Sequence, residues 1–189
     1  GMDALAHCLE AYSSDIFHPL SQGIALEGMK IIKDNLVEVY KDGNNIKARA
    51  NMLATSSMGS IAFQKGLGAI HSLSHPIGAI YNTHHGLTNA VFMPYVLIRN
   101  KQAIENKIID LSRYLNLSNP SFNSFLNWIL DLRKSLSIPH TLKELIGDDS
   151  NFKQMSVMAL NDPSTGSNPI KLNENDFLQL YQNSFEGLL

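Results

Sequence analysis

The stretch HSLSHPIGAIYNTHHG, residues 71–86, holds four of the seven histidines of the 189-residue chain. It lies inside a longer run, residues 66–98, that contains no Lys, Arg, Asp or Glu. Such a run is too polar to span a membrane and too poor in charge to form a solvated face. It reads as a buried centre whose neutral polar groups have fixed partners, because each unpaired one would cost about 1–3 kcal/mol. Histidine can meet that demand as a metal ligand, as an acid–base group, or as a polar residue satisfied in the core.

Outward from this centre the pattern is helical on both sides. Residues 20–40 place Ile24, Gly28, Ile31, Ile32, Leu36 and Val39 on one stripe that stops at Asp42-Gly43. Residues 100–115 carry Ile104, Ile108, Leu111 and Leu115 at helical spacing. Residues 121–136 repeat the pattern with Phe122, Phe125, Ile129, Leu132 and Leu136, behind an Asn119-Pro120 start suited to a helix N-terminus. Residues 150–160 and 173–185 read as two further helices, separated by the turn-rich NDPSTGSNP. No stretch alternates with period two long enough to demand a strand, and no repeat or linker interrupts the chain. The expectation is one all-α domain over residues 1–189, a multi-helix bundle.

The totals narrow the class. Charged residues are 17% against 44% hydrophobic, below the usual quarter, so an unusual share of the surface is expected to be covered. A net charge of −2 offers no basic footprint for nucleic acid. Cys8 is the only cysteine, which excludes a disulfide framework and fits a reducing cytoplasm. No run of 18 apolar residues is present, so no membrane span is expected.

Helical spacing then selects which side chains can converge. Asp3 and His7, four apart in GMDALAHCLE, share a face, and Glu10 lies on that face too. His71 and His75 are likewise four apart, provided that Pro76 is accommodated by a kink, a helix end or other backbone partners. YNTHHG reads as a turn into a new helix that carries His84 or His85, which cannot both point the same way. One carboxylate with two or three imidazoles suits Fe(II) or Zn. Each pair alone has a plainer reading: a histidine bonded to a carbonyl, or an Asp favoured by the helix dipole. Glu10 reads as a group behind the ligands or at the surface, and Cys8 as a buried inert thiol. His18 and His140, each beside a proline, read as turn or surface residues.

At these residues the chain resembles a known family. GMDALAHCLEAYSS (1–14), AFQKGLGAIHSLSHPIGAIYNTHHGLTNAVFMPYVLIRN (62–100) and NDPSTGSNP (161–169) closely resemble the C-terminal helical half of the iron-containing (group III) alcohol dehydrogenases, of dehydroquinate synthase-like fold. The resemblance runs the length of the chain. It implies that Asp3, His7, His71 and His85 hold the metal, so that four of six geometric candidates become ligands. It implies for His75 a place beside the nicotinamide and the substrate, where it can relay a proton. His84 stands where many members have Pro and is expected at a turn or pocket wall.

The family also carries an N-terminal Rossmann-like domain with a Gly-rich phosphate loop, and no such loop occurs in these residues. The function implied is the metal- and substrate-binding part of an NAD- or NADP-linked alcohol dehydrogenase. Its substrate would be a small alcohol or aldehyde, and it would be inactive without a separately supplied nucleotide-binding half. Loss of that half would expose the charge-poor centre and drive homo-oligomer formation. Two rival readings are a catalytically silent metal-binding module serving in binding or oligomerisation, and a metal-dependent hydrolase with Glu10 as its base.

Overall fold

The computed structural model describes residues 1–189 as nine α-helices and two 3-10 turns, with no strand. The helices are α1 (Met2–Ser13), α2 (Pro19–Lys41), α3 (Ile46–Ala62), α4 (Ala69–Tyr81), α5 (His85–Tyr114), α6 (Phe122–Ser135), α7 (Lys143–Ile146), α8 (Phe152–Leu160) and α9 (Glu174–Glu186). The all-α bundle expected from the periodicities is therefore the fold.

Helix α1 is its axle. It packs against α2, α3 and α5, and every one of its residues is buried except Asp3 and His7. Its small and apolar side chains, Ala4, Leu5, Ala6, Leu9 and Ala11 among them, let three helices close around it. The two residues left facing a gap are the acid and the imidazole. Around the other end, Lys65 donates to the Tyr12 carbonyl and Lys107 to those of Ser13 and Ser14. Both ammonium groups thus meet the negative end of the α1 dipole. Lys65 is buried, and desolvation followed by the nearby Lys107 charge lowers its pKa.

Helix α4 lies between α5 and α8, and the buried residues of both chain halves join in one hydrophobic cluster. Pro76 sits within α4, which nevertheless continues to Tyr81 and ends in a left-handed Asn82. Helix α5 corrects the sequence reading. The pieces expected near residues 85 and 100 are one 30-residue helix of about 45 Å that carries Pro94 in its interior. His84 is its N-cap, accepting from the Leu87 N–H at 3.3 Å. Helix α3 has no strong apolar stripe and went unread; Asn45 caps it by accepting from Ala48 N–H.

The charge-poor centre divides in two. It is covered only in part within this chain: His75 and residues 78–85 are exposed or half-buried. Residues 69–74 and 88–97 are buried within this chain, covered by α1, α8 and α9. The exposed apolar side chains lie elsewhere, with Phe17 90% and Leu20 76% exposed at the start of α2.

Helix α3 reaches the back of His7 only because Gly59 is bare. A Cβ there would stand 3.2 Å from His7 Cβ and 3.3 Å from the Ala4 carbonyl oxygen. Gly59→Val is therefore expected to push α3 off α1, lowering stability by about 1–3 kcal/mol and weakening any ligand set that includes His7. Urea unfolding with a parallel zinc titration checks it; a variant equal to wild type in both would refute the close approach.

Candidate active site

Three elements aim side chains at one point. Helix α1 contributes Asp3 and His7 from one face, α4 contributes His71, and the first residue of α5 is His85. Ligand atoms of Asp3, His7 and His71 all lie within 4.8 Å of one another. His85 stands at the rim of this group, its Nε2 3.4 Å from Asp3 Oδ1 and its side chain 42% exposed. Gly86 lets the α5 terminus approach, since a Cβ there would be 3.1 Å from Asp3 Cβ.

Asn89 went unread in the sequence, although it lies four residues beyond His85 on the same face of α5. Its Nδ2 is 2.8 Å from Asp3 Oδ1, 3.0 Å from His85 Nε2 and 3.2 Å from His71 Nε2. Asn89 Nδ2 has two hydrogens for three neighbours, of which Asp3 Oδ1 and, with Glu10 on its Nδ1, His71 Nε2 are acceptors. Asn89 Oδ1 is buried without any partner. The spot is therefore one where acceptor lone pairs converge beyond what the protein's own donors fill. Such an excess of acceptors suits a cation.

Behind His71 stands Glu10. One carboxylate oxygen accepts the Ile70 N–H at 2.7 Å and the other lies 2.5 Å from His71 Nδ1. A carboxylate on Nδ1 fixes the proton there and turns the Nε2 lone pair to the cluster, the arrangement that orients and strengthens metal-binding imidazoles. With both oxygens engaged and the residue buried, Glu10 has no free oxygen with which to act as a hydrolytic base.

The electrostatics fit the same use. Burial alone would raise the Asp3 carboxyl, but the surrounding imidazoles and the Asn89 amide lower it below its ordinary value. Desolvation lowers His7, helped by repulsion from His71, and desolvation likewise lowers His85. His71 goes the other way: burial opposes protonation, but the charge and hydrogen bond of Glu10 outweigh it and raise the imidazole.

His75 takes a separate post. It lies beyond the ligand group, stacked on His85 with ring centroids 5.4 Å apart, and its Nδ1 is 2.7 Å from Asp162 Oδ2. Asp162 also escaped the sequence reading, because Asp-Pro in NDPSTGSNP signals only a turn. Phe63 closes the near side at 5.4 Å from the His7 ring. The remaining candidates are accounted for. Cys8 is wholly buried, and desolvation pushes its thiol up to about 12. His18 caps α2 by accepting from Ser21 N–H at 3.2 Å, and the exposed His140 offers only its carbonyl, to Tyr95 and Arg133.

The family model for the C-terminal part of the Fe-containing alcohol dehydrogenases matches residues 1–185. The chain belongs to that family. It is 32% identical over 192 residues to a 1,3-propanediol dehydrogenase of Citrobacter freundii, covering 98% of this chain and 50% of that protein. It is 34% identical over 193 residues to a 4-hydroxybutyrate dehydrogenase of Cupriavidus necator, covering 97% and 50%. Among solved structures, a 1,3-propanediol oxidoreductase superposes with a TM-score of 0.92 at 31% identity, over 97% of this chain and 50% of that one. An iron-containing alcohol dehydrogenase from Thermococcus thioreducens superposes with a TM-score of 0.89 at 25% identity, over 98% and 49%. The chain thus spans about half the length of the relatives that it matches.

Proposed function

We propose that this chain is the metal- and substrate-holding part of an NAD(P)-linked alcohol dehydrogenase, with Asp3, His7, His71 and His85 as ligands and His75 as proton relay. The observation that carries the reading is the convergence of Asp3, His7 and His71 ligand atoms within 4.8 Å, with acceptors in excess around Asn89 Nδ2. Iron(II) suits this nitrogen-and-oxygen donor set, and zinc shares it. When bound, such an ion supplies Lewis-acid polarisation of an alcohol or aldehyde oxygen.

The chain's own residues do the rest. Asp3 brings the single negative charge among the four ligands. Glu10 holds His71 in register through its Nδ1. His75, with its side chain 43% exposed, has one ring nitrogen engaged by Asp162 and the other free to take or give a proton. The nicotinamide would be supplied by residues outside this helical bundle and placed beside His75.

The test is a metal titration of the purified chain, paired with an alcohol-oxidation assay of the intact protein. One divalent ion per chain is expected. Its affinity should fall as pH drops, because every bound imidazole must be neutral and protons compete for the same lone pairs. His7 and His85, lowered by desolvation, protonate late, so most of the proton release should come from His71. His75→Ala should leave metal content unchanged while depressing turnover of the intact protein. A pH-independent affinity, or one ion still held by a His71→Ala/His85→Ala double variant, would overturn the ligand set.

A further inference from the structure

We propose that Asp162 is a positioning residue that locks His75 as the Nδ1–H tautomer and thereby makes Nε2 the nitrogen that exchanges the proton. This rests on the reading of His75 as the relay and adds to it the group that sets which nitrogen acts.

The geometry has two halves. Asp162 Oδ2 lies 2.7 Å from His75 Nδ1, and Asp162 Oδ1 accepts the Ser164 N–H at 2.8 Å. A carboxylate only accepts, so the proton between the two residues must belong to Nδ1. The neutral ring then has its lone pair on Nε2. When an alcohol O–H gives up its proton, that bond breaks and an Nε2–H bond forms. The resulting imidazolium keeps its Nδ1–H on Asp162, whose negative charge offsets the new positive one. Loss of the Nε2 proton to water restores the neutral ring. The electron pair of the broken O–H bond stays on the alkoxide oxygen, and the proton passes through Nε2 to water.

The carboxylate is also held in place. Residues 162–168 dock on the N-terminal half of α4 through Thr165 Oγ1 to Ser72 Oγ (2.7 Å), Ser167 Oγ to the Leu67 carbonyl (2.8 Å) and Asn168 Oδ1 to the Ala69 N–H (3.2 Å). Helix α4 carries His75, so acid and base ride on one rigid unit.

A plainer role is available: Asp162 caps the 3-10 turn Pro163–Ser167. Asp162→Asn separates the two. Asparagine is an equally good cap and can keep its oxygen on Ser164 N–H. Its amide nitrogen would then donate to His75 Nδ1, forcing the lone pair onto Nδ1 and the proton onto Nε2. A cap that is merely structural predicts no such exchange.

The experiment is a pair of nitrogen–proton NMR correlation spectra of the zinc-loaded chain, which identify the protonated ring nitrogen of His75. Wild type should show Nδ1–H and Asp162→Asn should show Nε2–H. In the intact protein the same substitution should lower kcat by roughly 10²–10⁴-fold, the range of general acid–base contributions, with KM little changed. An Nε2–H tautomer in wild type overturns the proposal without any variant, and so does an unchanged tautomer in Asp162→Asn. If His75→Ala leaves kcat of the intact protein intact, the relay reading itself fails, whatever the tautomer.

Discussion

Loaded with iron or zinc and given a short alcohol with NAD or NADP, the 189-residue chain alone is expected to show no dehydrogenase turnover. Hydride transfer needs the nicotinamide carbon within about 3–3.5 Å of the substrate carbon, and such positioning can contribute roughly 7–11 kcal/mol to the barrier. These residues form helices only, with no strand–turn–helix unit on which a pyrophosphate could sit. Forfeiting half of the positioning contribution slows the reaction by roughly 10³–10⁴-fold. The check is absorbance of reduced nicotinamide, followed for the isolated chain and for the chain mixed with a nucleotide-binding half. Ordinary turnover by the isolated chain would sink the expectation. Turnover that appears on mixing and vanishes in His71→Ala would place half of the active site in these residues.

What the sequence made legible follows from what generates a periodic signal. Helices α2, α6 and α9 were readable because each presents a wide apolar stripe to the core. Helix α3 was not, since its buried residues are Ala48, Thr55, Gly59 and Ala62, small side chains that carry little hydrophobic signal, and Gly59 is the one set against His7. The continuity of α5 was hidden by Pro94, which a buried helix tolerates and an isolated pattern does not advertise. At the site, the i,i+4 pair Asp3/His7 was visible because both partners sit on one helix. The i,i+4 pair His71/His75 was misleading on spacing alone: in the structure His71 clusters with Asp3 and His7, and His75 turns to Asp162. Contacts of long sequence separation, Asp162 to His75 and Asn89 to Asp3, leave no local trace. Only assembly of the helices brings them together. Glu10 was half-legible, since its face was readable from its position seven residues beyond Asp3 but its partner on α4 was not.

The same assembly makes His71 and His85 unequal, although both are expected as ligands. Losing either should weaken zinc binding by about 10²–10³-fold, a quarter or so of the roughly 10–16 kcal/mol that four-ligand sites supply. Their effects on the metal-free fold should differ. His71 is buried against the buried Glu10 carboxylate, so His71→Ala strands an acid in the core; breaking such a pair typically costs about 3–5 kcal/mol. His85 is 42% exposed and has no buried carboxylate leaning on it, so His85→Ala should leave metal-free stability within about 0.5 kcal/mol. The pH dependence carries its own signature. Burial disfavours the His71 charge, yet Glu10 raises its pKa above the ordinary 6.5. In the metal-free protein its contribution is therefore fully present below about pH 6.5 and is lost as pH rises through the folded value. Metal binding runs in the opposite direction, lost as pH falls. Urea unfolding of metal-free wild type, His71→Ala and His85→Ala across pH 5.5–8.5 should find His71→Ala the least stable of the three throughout, while His7 and His85, lowered by desolvation, and a Glu10 left unpaired in His71→Ala add pH slopes of their own. Equal stabilities for the two variants, with equal pH slopes, would mean that Glu10 does not depend on His71 for its burial.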